Sequence, residues 1–213
     1  MKNESTQVQQ RVMRYWYIDG LGELVGGGGV FFVLALYFSA QQYFGEDSLV
    51  GGLLQAGLFL ILVGSFVFVR RLIASLKMRV TYPRTGYVEY RASRQNRILM
   101  GALAALSAAA MSGVIVLIVR SFDAIDTMVA MTGILVAVIL LVKQVWSTRM
   151  PRFYFLGAIS LILGGILSVS GFARGYNLGL FYGFMSIAFA VSGGITLKNY
   201  LRENPLPAEV END

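Results

Sequence analysis

Two carboxylates, Asp19 and Glu23, sit four residues apart in RVMRYWYIDGLGEL (residues 11–24), at the entrance to a long apolar run. On a continuous helix that spacing puts them on one face. The chain has no His and no Cys. Thiol nucleophiles, disulfides, Cys or His metal sites and imidazole acid–base chemistry are therefore excluded. Catalysis would have to rest on Asp, Glu, Lys, Arg or Tyr, and this is the acid pair beside a span.

Two roles fit the pair. In the first, Asp19 caps the first apolar helix and Glu23 sits in its opening turn, where the positive helix end favours both. Leu24–Phe44 is long enough to cross a bilayer without burying either acid. In the second, Glu23, flanked by Gly22 and Gly26, faces the helix bundle. It then needs a cationic partner, because an unpaired buried carboxylate is expensive. The nearest partners by topology are the arginines after the second span.

Those arginines belong to RVTYPRTGYVEYR, residues 79–91. Proline and glycine suit a tight reversal at PRTG. β-Branched and aromatic residues flank it: Val80, Thr81 and Tyr82 before, Tyr87, Val88 and Tyr90 after. The pattern predicts a short β-hairpin that needs a surface to lie on. Arg79, Arg84 and Arg91 point to acids or phosphates, and Arg94 and Arg97 continue the series toward the next span. In one reading the hairpin is a lid, with Arg79 or Arg84 paired to Asp19 or Glu23. In the other, the arginines bind anionic lipid headgroups or an acidic partner.

The elements that position these residues are membrane helices. Of 213 residues, 56% are hydrophobic and 14% charged, against about 25% charged in an ordinary soluble domain. Mean hydropathy is +0.63. Apolar runs of spanning length predict an all-α protein with six transmembrane helices: Leu21–Phe44, Leu49–Val69, Ile98–Val119, Ile125–Val142, Phe153–Ala173 and Leu178–Leu197. Asp126 shortens the fourth. Sixteen of the 18 Lys and Arg residues fall in alternate connections, which predicts that both termini and the hairpin are cytoplasmic. The net charge of +6 then reports topology rather than affinity for nucleic acid.

This divides the chain into an N-terminal segment (1–20), helices 1 and 2 (21–73), a basic hairpin loop (74–97), helices 3 to 6 (98–197) and a disordered tail (198–213). No cleaved leader is expected, since residues before the first span are polar and that span is full length. Residues around Val8, Val12, Tyr15 and Trp16 predict a short interfacial helix. Tyr15, Trp16 and Tyr17, with Tyr82 and Tyr87, are the expected anchors at headgroup level.

Small residues recur along the spans: Gly101, Ala105, Ala109 and Gly113; Ser160, Gly164 and Ser168; Gly179, Gly183, Ser186, Ala190 and Gly194; Gly52, Ala56 and Gly64. Such stripes let helix backbones approach closely. The run Gly26–Gly29 points to a close crossing, with a bent or broken first helix as the alternative.

RYWYIDGLGEL and RVTYPRTGYVEYR together resemble signatures of uncharacterised prokaryotic integral membrane proteins of about this size. The resemblance covers residues 11–97, and the later spans by hydropathy alone. It implies a multi-span fold in a cytoplasmic membrane and assigns no activity to any residue. DGLGE is superficially similar to the start of the CDP-alcohol phosphotransferase motif, but no arginine follows and the later paired aspartates are absent.

The expected role is therefore non-enzymatic: a membrane scaffold, accessory subunit or lipid-binding module, with small-solute transport as the alternative. No cofactor, metal or catalytic residue is expected. The expected partners are the bilayer and either anionic phospholipid headgroups or another membrane subunit.

Overall fold

The computed structural model describes residues 17–45, 48–85, 124–143, 150–169 and 176–205. Within these, every regular element is helical. A π-helical turn, Gly22–Gly28, opens the first helix and runs directly into α1, Gly29–Phe44. There follow α2 (Leu49–Val80), α3 (Tyr82–Thr85), α4 (Ala124–Lys143), α5 (Arg152–Val169) and α6 (Asn177–Glu203).

Among the described residues, three helices are long and apolar enough to cross a membrane: Gly22–Phe44, Arg152–Val169 and Asn177–Glu203. A fourth is reached if Leu49–Leu58 and Val63–Arg84, which meet at 59°, count as one span. The described residues thus support three to four spans and leave the six predicted ones without full support. The predicted span Ile98–Val119 lies outside the described residues. The predicted span Ile125–Val142 falls within helix α4, but its apolar part, Met128–Val142, is a short one.

The predicted hairpin is corrected. Val80 and Tyr82, expected in its first strand, are helical, and Thr81 is the hinge between α2 and α3. The Thr81 N–H donates to the Lys77 carbonyl, and the Arg84 N–H donates to Thr81. Proline explains the break. Pro83 cannot continue α2, because its ring would clash one turn back, but it fits the first turn of a new helix, where no N–H is needed. β-Propensity in Val80–Thr81–Tyr82 yields to propagation of the preceding 32-residue helix. The second half of the predicted hairpin lies outside the described residues.

Turn chemistry marks the ends. Gly45 takes φ +74° after α1. Ser48 then caps α2, its Oγ accepting from the Gly51 N–H at 2.9 Å. Helix α4 packs most extensively on α5, and α1 with its π-helical turn on α6. The core between them includes Val129, Phe153, Phe181, Met185 and Phe189.

Small residues make both contacts. A Cβ on Gly133 would meet the Ser160 carbonyl at 2.8 Å and the Gly164 Cα at 2.9 Å. The Ser160 hydroxyl donates to the Gly133 carbonyl across the same crossing. Gly179 lies against Ser39, and the Ser186 hydroxyl donates to the Gly28 carbonyl. Gly27 leaves room for the Phe189 ring, so the glycine run is a close crossing and also a departure from α geometry. By contrast, Gly52 and Gly64 meet nothing within 4 Å.

Neighbouring glycines on α6 make a controlled test. A Cβ on Gly193 would collide with Leu24 backbone and meet the Gly20 carbonyl at 2.8 Å, whereas one on Gly194 would meet nothing. Gly193→Ala is expected to destabilise the protein by about 1–3 kcal/mol through overpacking. Gly194→Ala should be neutral or slightly stabilising, because alanine favours a helix by about 1 kcal/mol. Thermal melts of the two variants in one detergent check this.

Candidate functional site

The residues that converge lie at the start of the first helix. Gly20 takes φ +70°, a conformation that strains other residues. The reversal there turns the chain into the π-helical segment and folds the Asp19 carboxylate back, so that Oδ1 accepts from the Leu21 N–H at 3.1 Å. Asp19 is 0% exposed and Glu23 2%. Both acids are thus inside the bundle, and each meets a cation from a different helix.

Asp19 is held by α2. Lys77 Nζ lies 2.9 Å from Oδ2, and the Thr81 hydroxyl donates to the same oxygen at 2.9 Å. Lys77 and Thr81 are four apart, so one helical face supplies both. Lys77 is itself only 2% exposed. Glu23 is held by α5 and α6. Arg152 Nε lies 2.6 Å from Oε1, and the Ser192 hydroxyl donates to Oε2 at 2.9 Å. The same guanidinium donates to the Thr196 hydroxyl at 3.0 Å and to the Tyr17 carbonyl, and packs over the Phe153 ring. Ser192 and Thr196 again share one helical face.

This layer therefore joins four elements: the first helix, α2, α5 and α6. Two buried carboxylates are matched by two cations, and hydroxyls occupy further carboxylate positions. That is the condition under which buried charge is tolerated. Among the described residues, no three acidic side chains group as a metal site would need.

Next to the layer lies an apolar cavity of about 880 Å3. Its walls come from the π-helical turn and α1 (Gly26, Val30, Phe31), from α2, from α4 (Val136, Ile139) and from Phe153 and Phe189. Gly26 and Gly27 line it where the first helix is π-helical. Tyr17, Glu23 and Arg70 bring polar atoms to its surface.

The residues expected from the sequence fall into three groups. Asp19 and Glu23 are brought together in the buried layer, paired with Lys77 and Arg152 rather than with Arg79 or Arg84. Arg79 is exposed on α2. Arg84 is half-buried, and its Nη1 donates to the Asn204 carbonyl at 2.7 Å, tying α3 to the end of α6. Tyr17 is half-buried and meets Phe153 edge to face at 5.9 Å; Tyr82 is also half-buried. Tyr15, Trp16, Tyr87, Arg91, Arg94 and Arg97 lie outside the described residues.

Lys77, Thr81, Arg152, Ser192 and Thr196 are the residues that sequence reasoning missed. A signal for them was present. Lys77 and Arg152 fall in connections assigned to the same membrane side as Asp19 and Glu23, each close to a helix end, and that shared side was the signal.

No family model, curated protein sequence or solved structure matches this chain.

Proposed function

We propose that this is a multi-pass membrane protein with no catalytic role, acting as a scaffold, accessory subunit or lipid-binding module through a basic cytoplasmic face. The six-span arrangement with both termini inside belongs to this proposal and rests on hydropathy and charge asymmetry. One observation carries the reading: the cations divide into two populations. Lys77 and Arg152 are consumed by internal pairs. Arg70, Arg71 and Arg79 are exposed along the C-terminal third of α2 and have no ion-pair partner among the described residues. Exposed arginines spread over the C-terminal third of an apolar helix suit anionic headgroups or an acidic surface on another subunit.

Arg79→Gln is expected to lower preference for phosphatidylglycerol over phosphatidylcholine about fivefold, from about 1 kcal/mol per basic residue near an anionic surface. Native mass spectrometry of the gently extracted protein reads this. If the partner is a protein, it should leave with the same substitution. Identical lipid and protein complements for wild type and variant would remove Arg79 from the reading.

Small-solute transport has one observation in its favour. Glu23 lies on a cavity wall within a π-helical turn, and such turns gather at functional sites. Both its carboxylate oxygens are already engaged, which favours the structural role.

A further inference from the structure

The geometry points to a binding site for one lipid with an anionic headgroup, its acyl chain in the cavity between α2 and α4 and its headgroup on Arg70. The inference deepens the lipid-binding reading and takes the membrane placement from it, but does not depend on Arg79.

Three observations meet here. The cavity, about 880 Å3, falls in the range of about 300–1,000 Å3 that ligand sites occupy. Its walls are aliphatic and aromatic over most of their extent, as an acyl chain requires. The charge at its surface is unbalanced. Glu23 is neutralised by Arg152 at 2.6 Å. Arg70 lines the same space, is exposed, and has no ion-pair partner among the described residues. A single uncompensated cation beside an apolar cavity complements an amphiphile with a negative head.

The stripe on α2 sets the orientation. Phe66, Arg70 and Ala74 recur every fourth residue and all line the cavity, so they share one face. Gly26 stands against Ile73 and Gly29 against Val69, while Asp19 meets Lys77 farther along α2. Phe66 therefore lies deeper than Arg70, away from the ion-pair layer. The headgroup belongs toward that layer, within reach of the long Arg70 side chain, and the chain runs toward Phe66, Phe31 and Val136.

The test uses the full chain in vesicles of equal parts phosphatidylglycerol and phosphatidylcholine, followed by extraction and native mass spectrometry. Wild type should keep one phosphatidylglycerol per chain, at least about fivefold over phosphatidylcholine. Arg70→Gln should bring the two lipids near parity. Ala74→Trp should lose both by filling the mouth, and Arg79→Gln should keep the tightly held lipid.

Four outcomes overturn the site. Wild type retaining no lipid removes it together with the lipid-binding reading. Headgroup preference surviving Arg70→Gln removes the headgroup contact. Loss on Arg79→Gln alone assigns the lipid to the open basic face and leaves the broader reading standing. Lipid undisturbed by Ala74→Trp shows that the cavity is filled from within the chain and that the lipid sits elsewhere.

Discussion

Lys77→Met should destabilise the protein by about 3–5 kcal/mol, the usual cost of removing one partner from a buried ion pair. The reason is what remains. Asp19 is 0% exposed and keeps a hydrogen bond from Thr81, but loses the cation at 2.9 Å. Its buried charge then lacks a counter-ion and can be relieved only by letting in water, which loosens the contact between the first helix and α2. Asp19→Asn in the Lys77→Met background should recover much of the loss, since an amide can still accept from Thr81 and the uncompensated charge is gone. The measurement is the melting temperature of the three variants in one detergent. A double variant no better than Lys77→Met alone would show that Lys77 matters through packing rather than charge.

Arg152→Ala should be as damaging, and Arg152→Lys should rescue little of it. The guanidinium serves three groups on two elements: the Glu23 carboxylate, the Thr196 hydroxyl and the Tyr17 carbonyl. It also stacks over Phe153. An ammonium on a flexible stem can replace the charge but not the planar fork that reaches all three. Arg152→Ala takes the guanidinium away from the buried Glu23 carboxylate, at about 3–5 kcal/mol again. Arg152→Lys should recover less than half. Full stability of Arg152→Lys would mean that the Glu23 pair alone matters and that the contacts to Tyr17 and Thr196 contribute nothing measurable.

Much of the membrane architecture was legible because lipid imposes a simple rule: about 20 apolar residues per crossing. The bounds predicted for the first span lie close to Gly22–Phe44; the last span begins where predicted, but its helix runs on to Glu203, six residues into the tail expected to be disordered. The small-residue stripes on α5 and α6 were legible in part, since close approach needs small side chains wherever the partner lies; at the end of the α6 stripe it is Gly193, not the predicted Gly194, that makes the contact. Gly52 and Gly64 carry the same pattern with no described neighbour, because a stripe states what a face permits and not what occupies it.

The hairpin failed on local propensity. Valine, threonine and tyrosine read as strand, but a helix that has already formed adds the next residues at little cost. The pairing of the acids failed for another reason. Lys77 and Arg152 come from separate parts of the chain, and their geometry depends on how α2 and α5 pack. Sequence could place them on one membrane side, but nothing in residue spacing chose them over Arg79 and Arg84.

The Glu23–Arg152 pair also constrains the order in which the protein can be made. The ribosome delivers Glu23 roughly 130 residues before its counter-ion, a delay on the order of 10 s at usual elongation rates. For that interval the first helix has no Arg152 to neutralise its carboxylate. Glu23 must wait at the aqueous edge of the bilayer, because a buried carboxylate without a counter-ion is costly. That helix therefore settles late, once α5 and α6 bring Arg152 and Ser192 to it.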